Sequence, residues 1–418
     1  MTVLVTVIVV FTLSYTLALF MVSRRRRPPA ARPSDDLFFV FLVPCLNEEL
    51  VIGKSLERLL ALPSRNYAVV VIDDGSDDAT ATVVDGYDDD RVRLFRRVAP
   101  EARRGKGEAL NAAFRWLRSS DLLEERSSSD VIVVVVDADG RLEQNALYEV
   151  APYFADPKVA AVQIGVRMYN AGERLLARMQ DFEFVTFTEI FQRARQRVGS
   201  VGLGGNGQFA RLSALESLGD APWTDCLTED LDLGVRLLTL GWSNAFCPTT
   251  WVNQQAVTSF RRLVRQRSRW FQGHLQCWKR IPLVVRSRLS PKATFDLVQH
   301  LLSPSLVLLM TIPVGLFVTT LLFAVVVAPA ATARAFTDRG GLLLVLWYLL
   351  GFGLAPFYGF AYWLRDRSTG VVKALGYAHV YTLYGYLWMP AGWMAVWRIL
   401  RGKRGWAKTA RTAEVTPS

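Results

Sequence analysis

Four stretches of the 418-residue chain contain no Asp, Glu, Lys or Arg: residues 1–22, 301–333, 340–364 and 374–397. Each exceeds the ~20 residues a helix needs to cross a ~30 Å hydrocarbon core. A segment in lipid has to satisfy its own backbone and present apolar side chains all round, so these stretches limit the fold more than any other feature. They predict a multi-pass membrane protein whose polar residues, 37 to about 290, form one block outside the bilayer.

The arginines Arg24 to Arg27 follow the first stretch directly, in "SRRRRPPAARP". A secretory signal carries its positive charge before the apolar run and a small-residue cleavage site after it. The reverse order here predicts a retained segment with its N-terminus outside and the polar block in the cytoplasm, at the plasma or inner membrane. Pro390 interrupts the last stretch, which predicts a re-entrant or interfacial arrangement that returns the basic tail "RILRGKRGWAKTAR" to the cytoplasm. The formal net charge is +11, and arginines beside apolar spans account for it without nucleic acid as a partner. The cysteines Cys45, Cys226, Cys247 and Cys277 form no C-x-x-C and only three histidines occur, so neither a zinc site nor a disulfide framework is expected.

Between the apolar ends, strand-like and helix-like runs alternate. "FFVFLVP", "YAVVVID", "RVRLFRR" and "VIVVVVD" read as strands, separated by helical patterns over 48–62, 77–87 and 105–117. This predicts an α/β domain with a doubly wound, mostly parallel sheet, covering residues 37–255. A membrane segment and basic linker (1–36) precede it. Amphipathic interfacial helices (256–294) and a C-terminal transmembrane or re-entrant region (295–418) follow.

The polar residues inside this frame are unevenly placed. In "VIVVVVDADGRL" an unbroken apolar run ends in Asp137 and Asp139. Open α/β sheets hold ligands at the carboxyl ends of their strands. Two carboxylates at period-two spacing can converge on one hard cation, Mg²⁺ or Mn²⁺, which completes its shell with substrate phosphates. The same residues also suit a plain Asp-Gly turn. The strand "YAVVVID" ends likewise, in Asp73 and Asp74, a placement that can serve a ribose or base. No P-loop occurs. Lys106 opens a helix in "RRGKGEALN" and is placed for a diphosphate, or else lies in a surface loop. In "WTDCLTEDLDLG" a helix is predicted to start near Thr228, capped by that residue, with Glu229 and Asp230 in its first turn. In "SFRRLVRQRSRWFQGHLQCW", Gln266, Arg269 and Trp270 fall at i, i+3 and i+4, so an amide, a phosphate-binding fork and a flat ring share a helical face. Arg261, Arg262, Arg265 and Arg267 are predicted to lie on anionic lipid.

The motifs "PCLNEE" (44–49), "DDGS" (73–76), "GKGEALN" (105–111), "DAD" (137–139), "TED" (228–230) and "QRSRW" (266–270) occur in this order between residues 38 and 280. Taken together the region resembles the processive, membrane-embedded family 2 glycosyltransferases, which include bacterial cellulose, chitin, hyaluronan and poly-N-acetylglucosamine synthases. The resemblance implies a GT-A fold and an inverting transfer from a UDP-sugar, UDP-GlcNAc or UDP-Glc, onto a growing β-linked glycan at the cytoplasmic face, coupled to translocation. It implies that Asp73 contacts uridine, that Lys106, Gln266 and Arg269 hold the diphosphate, and that Asp137 and Asp139 meet nucleotide and metal. Asp230 then looks like the general base, with Glu229 next in line, and Trp270 stacks under the acceptor sugar. The loop "GLGGNGQF", with Gly205 and Asn206, sits at the acceptor end. Asp232 is expected to point away from Asp230. About 138 residues follow residue 280 (418 − 280), too few for the c-di-GMP-binding domain of cellulose synthases. The alternative is a non-processive enzyme of the same fold that adds one sugar to a lipid. An accessory membrane subunit is compatible with either.

Overall fold

The computed structural model describes residues 2–23, 36–123 and 126–403. Arg24 to Arg27 and the tail from residue 404 lie outside the described residues. The apolar runs become strands β1 (Phe38–Cys45), β2 (Tyr67–Asp73), β3 (Val92–Arg96) and β4 (Val131–Val135). They are joined by β5 (Arg141–Leu142), β6 (Val159–Met168), β7 (Gln208–Arg211) and β8 (Ser243–Gln254). All eight form one sheet in the order β3-β2-β1-β4-β7-β6-β8-β5.

The first half is parallel: β1 pairs with β2 and β4, and β2 with β3. Its strands bury side chains on both faces, as helices on either side require. Val40, Leu42, Val70, Ile72, Val133 and Val135 pack against Leu110, Phe114 and Leu117 of the helix Lys106–Arg118. The alternate residues Phe39, Phe41, Val69, Val71, Ile132 and Val134 pack against Ile52, Leu56 and Leu59 of the helix Ile52–Leu60. At ~1.5–3 kcal/mol gross for each buried aliphatic or aromatic side chain, this core holds the ends of β2 and β4 in place.

The second half departs from the mostly parallel expectation. β7 runs antiparallel to both β4 and β6, β5 runs antiparallel to β8, and only β6 and β8 are parallel. The reason is where the chain enters. Gln208 pairs with Val135, so β7 starts beside the end of β4 and can only run back. The sheet is mixed. A second departure lies at the opening motif: β4 stops at Val135, and a turn follows in which the Gly140 N–H donates to the Asp137 carbonyl at 2.7 Å. Asp137 and Asp139 therefore do not share a strand face.

Among the described residues one helix, Pro291–Val327, is long and apolar enough to cross a membrane. The segments Leu344–Phe352 and Ala355–Arg365, bent by 42°, would count as a second span if taken together. The stretch at 1–22 is a shorter apolar helix, Thr6–Val22 by the same measure. Four spans were expected; the last two stretches are broken by bends. Residues 374–397 divide into Val371–Gly385 and Trp388–Leu400, so the break precedes Pro390. Pro390 sits in the first turn of the second helix, where its missing N–H costs nothing.

Buried polar links tie these helices to the sheet region. Asp296, in the long helix, accepts from Arg195 Nε at 3.0 Å, from Ser200 Oγ at 2.8 Å and from the Tyr15 hydroxyl. Asp181 accepts from Arg167 Nε at 2.9 Å and Tyr362 Oη at 3.0 Å. Glu183 accepts from Arg267, from Tyr384 Oη at 2.9 Å and from Trp388 Nε1 at 3.2 Å. A buried ion pair gains little net stability, but losing one partner costs ~3–5 kcal/mol, so such links set register.

Candidate active site

A cavity of about 710 Å³ opens at the carboxyl ends of β1 and β4 and continues between the helices. Lys106, Asp137, Gly205, Asn206, Glu229 and Asp230 line one end, with Gln266, Arg269 and Trp270 along the wall. The structure thus brings together the lysine, the first acid of D-x-D, the T-E-D acids and the Q-R-S-R-W face. Asp73 and Asp139 are not on the wall. Asp73 is fully buried and accepts from the Ser76 N–H at 2.8 Å, closing its own turn. Its neighbour Asp74 lines the cavity and pairs with Arg97 at 2.5 Å.

Lys106 is the electrostatic centre. Gly105 takes φ +114°, a region open to glycine, and the chain then enters the helix with Lys106 in its first turn. The ammonium donates to Asp137 Oδ1 and to the Gly205 carbonyl, both at 2.7 Å, and lies 3.9 Å from Glu229 Oε1. Burial pulls its pKa down, but Asp137 and Glu229 outweigh that and hold it above the ordinary lysine value. Burial pushes Glu229 up to about 7, against the opposing pull of Lys106. Asp230 is raised for the same reason, partly offset by the Leu231 N–H that its Oδ1 accepts at 2.8 Å and by Lys106. A carboxylate held above its solution value is a better proton acceptor, as a general base needs.

Packing at three glycines explains how the acids are held. A Cβ on Gly107 would meet the Thr224 carbonyl at 2.5 Å, and Asn111 brackets Trp223 with bonds of 2.6 and 3.0 Å. The "GKGEALN" helix therefore clasps the loop that leads into T-E-D. On the other side, a Cβ on Gly273 would lie 2.6 Å from Thr228 N, so the helix Phe260–Gln276 presses on the same loop. A Cβ on Gly205 would sit 3.2 Å from Lys106 Nζ and 3.3 Å from Asp230 Oδ2, which places that backbone between them.

Three local expectations are corrected. Thr228 stands before the helix Glu229–Thr239 but makes no side-chain cap; its hydroxyl faces the Cys226 and Cys277 sulfurs at 3.6 and 3.7 Å, under Gly273. Asp232 does turn away from Asp230, but into the core. Fully buried, it binds Arg280 at 2.8 and 3.1 Å and the Thr224 hydroxyl at 3.0 Å. Arg261, Arg262 and Arg265 are exposed, whereas Arg267 is fully buried against Glu183. Its guanidinium stacks 4.0 Å from the Trp270 ring centre and donates to Gln266 Oε1 at 3.1 Å. Arg267 thereby orients two of the three residues on the Q-R-S-R-W face. Phe184 meets Trp270 edge-on at 6.0 Å.

Sequence reasoning missed Gln163 and Gly273 and misassigned Arg267. Gln163 alone had a signal, a lone amide in the apolar run of β6. It receives the Gly204 N–H at 2.8 Å and donates to the Asn206 carbonyl at 2.9 Å, fixing the loop behind Gly205.

The donor set suits a hard divalent ion. Asp137, with 28% of its side chain exposed on the wall, and buried Asp139 two residues on offer carboxylate oxygens and no soft ligand. Among the described residues no group of three or more His, Cys, Asp or Glu forms a self-contained metal site, so donor phosphates would supply other ligands.

Residues 36–273 match the family described as "Glycosyltransferase like family 2". The chain belongs to the family 2 glycosyltransferases. This glycosyltransferase is 33% identical over 297 residues to the β-monoglucosyldiacylglycerol synthase of Trichormus variabilis, a match covering 68% of this chain and 60% of that protein. It is 27% identical over 236 residues to the poly-β-1,6-N-acetyl-D-glucosamine synthase of Staphylococcus epidermidis, covering 56% of this chain and 53% of that one. The chain thus spans about 60% or less of the curated relatives it matches. Its fold is that of a mannosyltransferase from Pyrobaculum calidifontis solved with GDP-Man and Mn²⁺. The two share 19% identity and a TM-score of 0.58, over 91% of this chain and 99% of that one. It is a GT-A-like enzyme, a class that generally uses a divalent metal.

Proposed function

We infer that this glycosyltransferase moves a single hexosyl unit from a UDP-sugar to a hydroxyl of a membrane lipid, with inversion. One observation carries the reading: the cavity that holds Asp230 and Trp270 is also lined by Phe187, Phe191, Phe271 and Val307, with Thr188, Gln192 and Ser303 between them. A mostly apolar wall with a few polar groups suits a lipid, whose acyl chains and ester or hydroxyl oxygens need both. The lipid glucosyltransferases among the relatives support the same reading.

The residues divide the chemistry. Asp230 takes the proton of the acceptor hydroxyl as its oxygen bonds to the anomeric carbon. The bond from that carbon to the diphosphate oxygen breaks, and UDP leaves. Lys106 and Arg269 stabilise the charge on the leaving diphosphate. Asp137 on the cavity wall would hold the divalent ion, with Asp139 buried behind it, and the ion when bound adds Lewis-acid stabilisation of the same charge. Trp270, stiffened by Arg267, borders the acceptor.

The test is purified full-length protein in nanodiscs with Mn²⁺, a panel of UDP-sugars and a panel of lipids. Lipid-dependent UDP release with one glycolipid product is expected, abolished by chelation. The Staphylococcus relative keeps polymer synthesis as the second reading. A ladder of growing polysaccharide without added lipid would establish it instead.

A further inference from the structure

The catalytic reading leaves two imidazoles of the cavity unused. His274 lies one helical turn beyond Trp270 and two beyond Gln266, so it continues the Q-R-S-R-W face inward. His300 arrives from the Pro291–Val327 helix, and the two rings meet edge to face with centres 5.0 Å apart. Both line the same cavity as Asp230, beside Ser303, Pro304 and Val307. Burial, with a smaller push from Arg195, pulls His274 down to about 4, so its ring is uncharged at neutral pH.

The charge nearby is already spent. Arg195, whose field reaches both rings, pairs with Asp296 at 3.0 Å, is 2% exposed, and is not part of the wall. A phosphate here would lose its hydration against two neutral rings, the cavity's cations Lys106 and Arg269 being engaged by the donor diphosphate. Uncharged oxygens lose far less and still gain hydrogen bonds: the His274 ring already donates to the Trp270 carbonyl, which leaves its other nitrogen to accept from a lipid hydroxyl, and His300 adds a second neutral imidazole. The surrounding Pro304 and Val307 add an apolar exit.

We propose that His274 and His300 form the polar seat for an uncharged lipid acceptor, hydrogen-bonding the ester or hydroxyl oxygens next to the reacting hydroxyl and disfavouring lipids that end in phosphate. The acyl chains leave past Pro304 and Val307. This rests on the lipid-acceptor reading above and assigns the residues that select within it.

The experiment uses the full chain in nanodiscs with diacylglycerol or polyprenyl phosphate as acceptor. The wild type favours diacylglycerol. His274→Leu and His300→Leu each raise the diacylglycerol KM about 10-fold, one hydrogen bond's worth, while UDP affinity stays within about twofold. His274→Gln and His300→Gln keep a donor and recover most of the loss. A diacylglycerol with a photoreactive diazirine near the acyl carbonyl labels the unmodified protein within residues 300–307, which decides the matter even where a leucine variant misfolds. Unchanged KM in the leucine variants, labelling elsewhere, or equal use of the phosphorylated lipid overturns the inference while lipid transfer stands. Polymer formation without lipid removes the lipid reading itself, and the inference with it.

Discussion

The two ends of the cavity are built by opposite means. At the donor end, short motifs at strand and helix termini crowd Lys106, Asp137, Glu229 and Asp230 into mutual contact, and charge decides the geometry. At the acceptor end, side chains from the helices Phe260–Gln276 and Pro291–Val327 and from the segments around Phe187 and Trp388 meet far apart in sequence. There packing decides, and the few charges, such as Arg267 and Glu183, are paired and buried. A transferase needs both: fixed charge where a diphosphate departs, and a shaped apolar wall where a weakly polar acceptor must be held.

The difference is tested most sharply by Asp230→Asn, which keeps size and most hydrogen bonding but cannot take a proton. Turnover should fall ~10²–10⁴-fold with UDP affinity nearly unchanged. Near-normal turnover would pass the role of base to Glu229. The next effect in size belongs to Asp232→Asn. It takes the carboxylate partner from Arg280, whose side chain is 23% exposed, so the loss should appear as roughly 1–3 kcal/mol of stability in denaturant unfolding. A stable but inactive Asp232→Asn protein would mean the charge cluster extends further than the contacts indicate.

Lys106→Met probes the donor end by pH. Lys106 lowers the pKa of both Glu229 and Asp230, so removing it raises both. A base works only when deprotonated, and the acid limb of the kcat–pH profile should therefore move to higher pH. A shift to lower pH would contradict the arrangement. The smallest effect is expected at the acceptor end: Trp270→Ala should raise acceptor KM about 10-fold through lost ring contact, leaving UDP affinity as it was. Loss of UDP binding instead would make Trp270 part of the donor packing.

Local pattern made much of this legible. β1 to β4, the helix opened by Lys106 and the helix begun at Glu229 all follow from apolar periodicity and end signals that act within a few residues. The motif order points to the transferase family for the same reason, since nucleotide-sugar chemistry needs particular groups at strand ends. Arg267 was misread as lipid-facing because its position on the helix is indistinguishable from that of Arg265 until Glu183, 84 residues away, is brought beside it. The antiparallel entry of β7 depends on where a glycine-rich loop crosses the sheet edge, which no local period encodes.

By itself, then, the sequence determined β1 to β4, their apolar faces and the acids at their ends, because these rest on short-range geometry and on the hydrophobic effect acting within single elements. Only the tertiary structure decided which acid faces the cavity, that Asp74 rather than Asp73 lines it, that Asp232 is buried against Arg280, and that His274 and His300 meet. Those outcomes depend on contacts between segments distant in the chain, where close packing at Gly107 and Gly273 leaves one arrangement and excludes its neighbours.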